Sequence, residues 1–174
     1  MRPPKARSRR LVVELLEDRI TPTITFAPFG SDLPTGGTIT RSIAEGDLTG
    51  NGITDVAIGA INEVDIYLGD GHGNFTPDGV VLGFGFASNL LLADLTGNGK
   101  LDLIGTDGVN GSIIVAMGNG DGTFQPAKTW PLSTDIQSIA FGDLNGDGLP
   151  DVVFSYTSGL GVFLNDGTAN LFSA

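Results

Sequence analysis

The sequence predicts an all-β protein of repeated four-stranded blades, a β-propeller, and three observations carry that prediction. The nine-residue string Asp-x-(Thr/Asn)-Gly-(Asn/Asp)-Gly-x-x-Asp occurs three times, at Asp47–Asp55, Asp94–Asp102 and Asp143–Asp151, with first positions 47 and 49 residues apart. A second string keeps that spacing in the same phase, because Phe26-Ala27-Pro28, Phe75-Thr76-Pro77 and Phe124-Gln125-Pro126 begin 49 residues apart. No helix-length amphipathic pattern follows Pro22, which removes βαβ and helical-solenoid architectures. A period of about 48 residues with four short strands per unit is the spacing of propeller blades.

Each unit reads in the same order. An apolar lead-in (Ser42 to Gly46, Leu90 to Ala93, Ser138 to Gly142) precedes the Asp loop, and a strand-like run follows it: Val56 to Gly59, Leu103 to Gly105, Val152 to Phe154. A third strand (Val64 to Leu68, Ser112 to Met117, Gly161 to Leu164) leads through a glycine turn to the Phe-x-Pro segment. The turns Gly69 to Asn74 and Gly118 to Thr123 supply the positive φ values that tight hairpins require. The expected organisation is a segment 1–22 set apart from the fold and repeats over 23–174, in units near 38–85, 86–135 and 136–174. Three units fall short of the roughly four to eight blades of a closed propeller. The segment Thr23–Phe29 is therefore expected as an extra outer strand that closes the third blade of a partial ring or pairs in a neighbouring subunit, unless the chain is a piece of a longer one.

Composition narrows the functional classes. Of the nine Lys and Arg residues, six lie in Met1 to Arg19, leaving 17 acids against three bases from Ile20 onward, a formal charge of −14. Such a body repels phosphate backbones, and no basic patch interrupts it, which argues against nucleic-acid partners. Seven of those 17 acids belong to the three Asp loops, so the acidity is in part a cation-binding signal. The absence of Cys excludes disulfides, thiolate metal sites and cysteine nucleophiles. No apolar run approaches the roughly 18–20 residues that span a bilayer.

The loops carry the chemistry. Calcium takes about six to eight oxygen ligands, and a loop with side-chain oxygens at positions 1, 3, 5 and 9 and a backbone carbonyl at position 7 can wrap one, provided glycines at 4 and 6 let the chain turn. The expected ligands are Asp47, Thr49, Asn51, the Ile53 carbonyl and Asp55 in the first loop; Asp94, Thr96, Asn98, the Lys100 carbonyl and Asp102 in the second; and Asp143, Asn145, Asp147, the Leu149 carbonyl and Asp151 in the third. Three carboxylates make Asp143–Asp151 the strongest of up to three calcium sites, and the ion's role is structural. An EF-hand fails because its twelfth position is Ile58, Gly105 or Phe154 and not Glu, and because flanking helices are missing.

Catalytic patterns are sparse. The one histidine, His72, sits in a glycine turn; there is no Gly-x-Ser-x-Gly elbow, and Gly99-Lys100 has Asp94 where a phosphate loop needs its first glycine. The expected reading is not an enzyme. Trp130, Tyr67 and Tyr156 would offer sugar-stacking surfaces if exposed, though packing is their expected role.

The string Gly142-Asp-Leu-Asn-Gly-Asp-Gly-Leu-Pro-Asp-Val152, followed by Leu-x-Asp-Gly, resembles the FG-GAP or VCBS repeat of integrin-α-like β-propellers. That resemblance implies a calcium-stabilised propeller module for adhesion or for binding a protein or carbohydrate; the alternative it implies is a lectin or a carbohydrate-active enzyme on the same scaffold. Leu16-Glu17-Asp18-Arg19 with Pro22, after a basic stretch, resembles a short N-terminal motif of predicted extracellular proteins in planctomycete bacteria, which implies an exported or cell-surface protein.

Overall fold

The computed structural model describes residues 39–132, 134–167 and 172–173. The basic segment 1–22 and the expected extra strand Thr23–Phe29 lie outside the described residues. Among the described residues there are eleven strands and no helix: β1 Ser42–Gly46, β2 Asp55–Gly59, β3 Ile61–Gly69, β4 Phe75–Ala93, β5 Asp102–Asp107, β6 Ser112–Ala116, β7 Lys128–Pro131, β8 Ile136–Gly142, β9 Asp151–Tyr156, β10 Gly159–Asn165 and β11 Phe172–Ser173. Among the described residues every strand pairing is antiparallel, and neighbours in sequence are neighbours in space, the arrangement that short glycine turns dictate. β1 to β7 form one seven-stranded sheet, and β8 to β11 form a second of four strands.

The seven-stranded sheet is two four-stranded units sharing one strand. The first part of β4 pairs with β3 (Val81 opposite Val64), while its last part pairs with β5 (Leu92 opposite Leu103). The sequence predicts four short strands per repeat, and each of these two units has four, the outermost strand of the first running on as the innermost strand of the second. Gly83 and Gly85, with φ of 96° and 55°, turn the chain between the two parts without breaking it. Between them Phe84 is fully buried and lies against Gly105, where a Cβ would meet its ring at 3.2 Å. One difference concerns the Phe-x-Pro string. Phe75 to Pro77 opens β4, but Phe124 makes only an isolated bridge with Gly118, and Pro126 precedes β7.

Strand alternation sends successive side chains to opposite faces, and the second unit shows the consequence. Leu103, Ile114 and Ala116 face the first unit and meet Ala44, Ala57, Val64 and Ile66 in one core. Ile104, Ile113 and Val115, their neighbours in sequence, face the third unit and meet Ile139, Val152 and Phe154 in another. The third unit fills its side with aromatics: Phe154 lies 5.4 Å from Phe163 and 6.2 Å from Tyr156, centroid to centroid. Each unit thus buries one face against the next, and burial of apolar area at these two seams is what holds the array together.

Candidate cation loops and inter-unit grooves

The three Asp strings occupy the turns between the first and second strands of their units, β1–β2, β4–β5 and β8–β9. Glycines at the fourth and sixth positions all take left-handed φ: 72° and 81° at Gly50 and Gly52, 69° and 80° at Gly97 and Gly99, 83° and 87° at Gly146 and Gly148. That is the tight turn the spacing predicts.

The first aspartate of each loop closes the loop on itself. Asp47 Oδ1 accepts the Asn51 amide at 3.1 Å and Oδ2 the Gly52 amide at 2.7 Å. Asp94 does the same with Asn98 and Gly99, at 3.0 and 2.7 Å. Asp143 takes Gly146, Asp147 and Gly148. The Gly52 amide is the largest influence holding the Asp47 carboxyl below its ordinary value. The residue at position 5 makes a smaller turn of its own: Asn51, Asn98 and Asp147 accept the amides of Ile53, Lys100 and Leu149 at 2.7, 2.8 and 2.8 Å.

The ninth aspartate is buried and looks the other way. Asp55, Asp102 and Asp151 are fully buried. One oxygen of each accepts the amide of the loop's second residue (Leu48, Leu95, Leu144) at 2.9, 3.0 and 2.8 Å. The other reaches the far end of the following hairpin, accepting Gly69, Gly118 and Asn165 at 2.9, 2.9 and 2.8 Å. Burial pushes the Asp102 carboxyl up, against the opposing pull of the Gly118 and Leu95 amides.

These loops fit a hard cation in donor type, since every expected ligand is oxygen. Thr96 Oγ1, at position 3 of the second loop, is buried with no hydrogen-bond partner, as an unfilled ligand would be. They fall short in number of acids. Among the described residues no three Asp, Glu or His side chains gather into a metal-holding group.

A residue that sequence reasoning passed over is the leucine at position 2. Leu48 and Leu95 are buried, and their carbonyls accept from the next unit: the Gly122 amide reaches Leu48 at 3.3 Å, and Asn165 Nδ2 reaches Leu95 at 2.7 Å. The signal was present as a leucine repeated at the motif's variable second position in all three loops.

Two grooves open along the seams. The first, about 550 Å³, lies between the outer part of β4 and the turn after β6, lined by Ile66, Asp78, Val81, Thr123 and Gln125. The second, about 290 Å³, lies between the second and third units and is lined by Thr96, Asn98, Met117, Gln125, Lys128 and Trp130. The first lining carries one carboxylate and the second none. Tyr67 is buried, so it presents no stacking surface, and Tyr156 packs against Phe154. His72 is exposed, its amide donating to Asp70 Oδ1 at 2.7 Å. Asp107, buried, is committed to the turn it caps, accepting from the Val109 and Asn110 amides at 3.0 and 3.2 Å.

Fold and loops together define a class: all-β repeat proteins in which an Asp-rich loop recurs once per four-stranded unit. The chain belongs to the FG-GAP-like repeat family, whose model matches residues 47–105 and 94–154. No curated protein matches it. Among solved structures it is similar to a lectin of Agrocybe aegerita, described by its specific recognition of non-reducing terminal N-acetylglucosamine, with 32% identity and a TM-score of 0.58. The likeness covers 76% of this chain and 36% of that one, so the chain spans little more than a third of the lectin's length.

Proposed function

We propose that the chain is an extracellular ligand-binding module with β-propeller blades, that its ligand is a carbohydrate ending in an N-acetylated sugar, and that calcium serves its loops as a structural ion. The observation that carries the ligand is the likeness to the N-acetylglucosamine-recognising lectin at 32% identity, joined to the lining of the second groove. There Trp130 supplies an apolar face while Asn98, Gln125 and Thr96 supply hydrogen-bonding groups, the combination that orients a small polar ring. A binding role is favoured over glycoside hydrolysis at this groove because that chemistry needs two carboxylates flanking the bond, and the lining of the second groove carries none. The N-terminal motif supports the extracellular location.

Calorimetry with an N-acetylglucosamine-terminated oligosaccharide tests the ligand. Binding is expected, weakened on the order of tenfold by Trp130→Ala; a folded chain that binds no such sugar removes the reading. A calcium titration tests the ion. Affinity is expected in the range of about 10⁻⁴–10⁻³ M, tightest at the third loop and lost there with Asp143→Ala. Tighter binding by the first loop contradicts the ligand count.

A further inference from the structure

Among the described residues two apolar sheet faces are uncovered, and they are of the two kinds that the internal seams bring together. Val162 opposite Val153 in the third unit stands where Val115 opposite Ile104 stands in the second, and Leu160 opposite Ser155 stands where Ile113 opposite Thr106 stands. Ile113 and Val115 are 0% and 2% exposed against the third unit, whereas Leu160 and Val162 are 66% and 45% exposed. The loop leucines agree: Leu48 and Leu95 are 3% and 0% exposed under the next unit, and Leu144 is 53% exposed. At the opposite end, Ile43 opposite Ile58 holds the place of Ile139 opposite Phe154. Ile139 is 8% exposed and Ile43 is 66%, with Val80 at 51% and Leu82 at 69% on the same unit.

We infer that the trailing face of the third unit (Leu144, Leu160, Val162) docks on the leading face of the first unit (Ile43, Val80, Leu82) of a second copy of this chain, and that two copies close into one ring. The occupant is specified by the chain itself. Each internal seam joins a trailing face to a leading face, and the two faces uncovered among the described residues are one of each kind. Because the two faces differ, the contact is heterologous, and a head-to-tail contact ends either in a closed ring or in a filament. Two copies of three units make six blades, inside the range of roughly four to eight that propellers adopt, and three copies would overshoot it. The inference rests on reading the units as propeller blades.

Sedimentation velocity of the full chain over a concentration series tests it. The expected species has twice the 17.9 kDa mass of one chain. Val162→Glu and Ile43→Glu lie on exposed positions and should each halve that mass while leaving the strand signal in circular dichroism intact. An equimolar mixture of the two variants should regain the two-chain mass, since one intact trailing face and one intact leading face remain. A wild-type chain that stays monomeric at every concentration, a mixture that stays monomeric, or assemblies that grow beyond two copies would each overturn the inference. A monomer that still binds N-acetylglucosamine would do so while leaving the ligand reading in place.

Discussion

Asp94 and Asp102 belong to one loop and carry the same side chain, yet they do different work. Asp94 is half-buried and accepts amides four and five residues ahead of it, so it shapes the loop. Asp102 is fully buried and accepts one amide seven residues behind and another 16 residues ahead, fastening the loop to the end of the next hairpin. The pattern repeats with Asp47 and Asp55 and with Asp143 and Asp151. The nine-residue motif therefore contains two separable devices, an outer one that shapes the loop and an inner one that is part of the core.

Truncating the inner device should be the costliest change. Asp102→Ala strands the Leu95 and Gly118 amides in the interior, at about 1–3 kcal/mol apiece, or about 2–6 kcal/mol in all. Asp94→Ala, whose amides are met by water, should lose a small part of that in calcium-free buffer. Urea denaturation of the two variants gives the comparison directly, and equal losses would break it. Asp102→Asn keeps the shape but turns an NH₂ toward one of the two amides, so about 1–3 kcal/mol is expected, between the other two.

The backbone supplies a middle-sized test. At Gly146 an added Cβ would meet nothing within 4 Å, so Gly146→Ala isolates the cost of a φ of 83°. About 1–2 kcal/mol is expected for a side chain held in the left-handed region. Gly50→Ala, equally open at φ 72°, should cost the same. A markedly larger loss at either site, by the same denaturation measurement, would mean that the loop depends on the glycine for more than its freedom.

How much of this the sequence disclosed follows the range of the interactions. The loops, their glycines and the four-strand order are local, written within nine residues or within one period, and were legible. The burial of the ninth aspartate depends on partners 14 to 16 residues on, Gly69, Gly118 and Asn165, which are not alike in sequence. The continuity of β4 hid behind Gly83 and Gly85, since glycine reads as a strand end where here it bends an unbroken strand. The faces at the two seams were invisible for a plainer reason: Val115 and Val162 are the same residue in the same repeat position, and only the presence of a neighbouring unit distinguishes them.

The smallest expected effect is also the one that separates the two devices by sign. Amide hydrogen bonds hold the Asp47 carboxyl below the ordinary value of 3.8, so the stability it contributes is present above 3.8 and is lost as pH falls through its folded value. Burial raises the Asp102 carboxyl above 3.8, so its contribution is fully present below 3.8 and is lost as pH rises through its folded value. Removing each charge in turn should therefore tilt the pH dependence of unfolding in opposite directions. The penalty of Asp102→Asn should shrink as pH rises from 3.8 through the raised value, while that of Asp47→Asn should grow as pH rises toward 3.8 from below. Unfolding free energies measured across that acid range on the wild type and both variants check the signs. Parallel curves would place the two carboxylates in equivalent surroundings and dissolve the distinction between outer and inner aspartates.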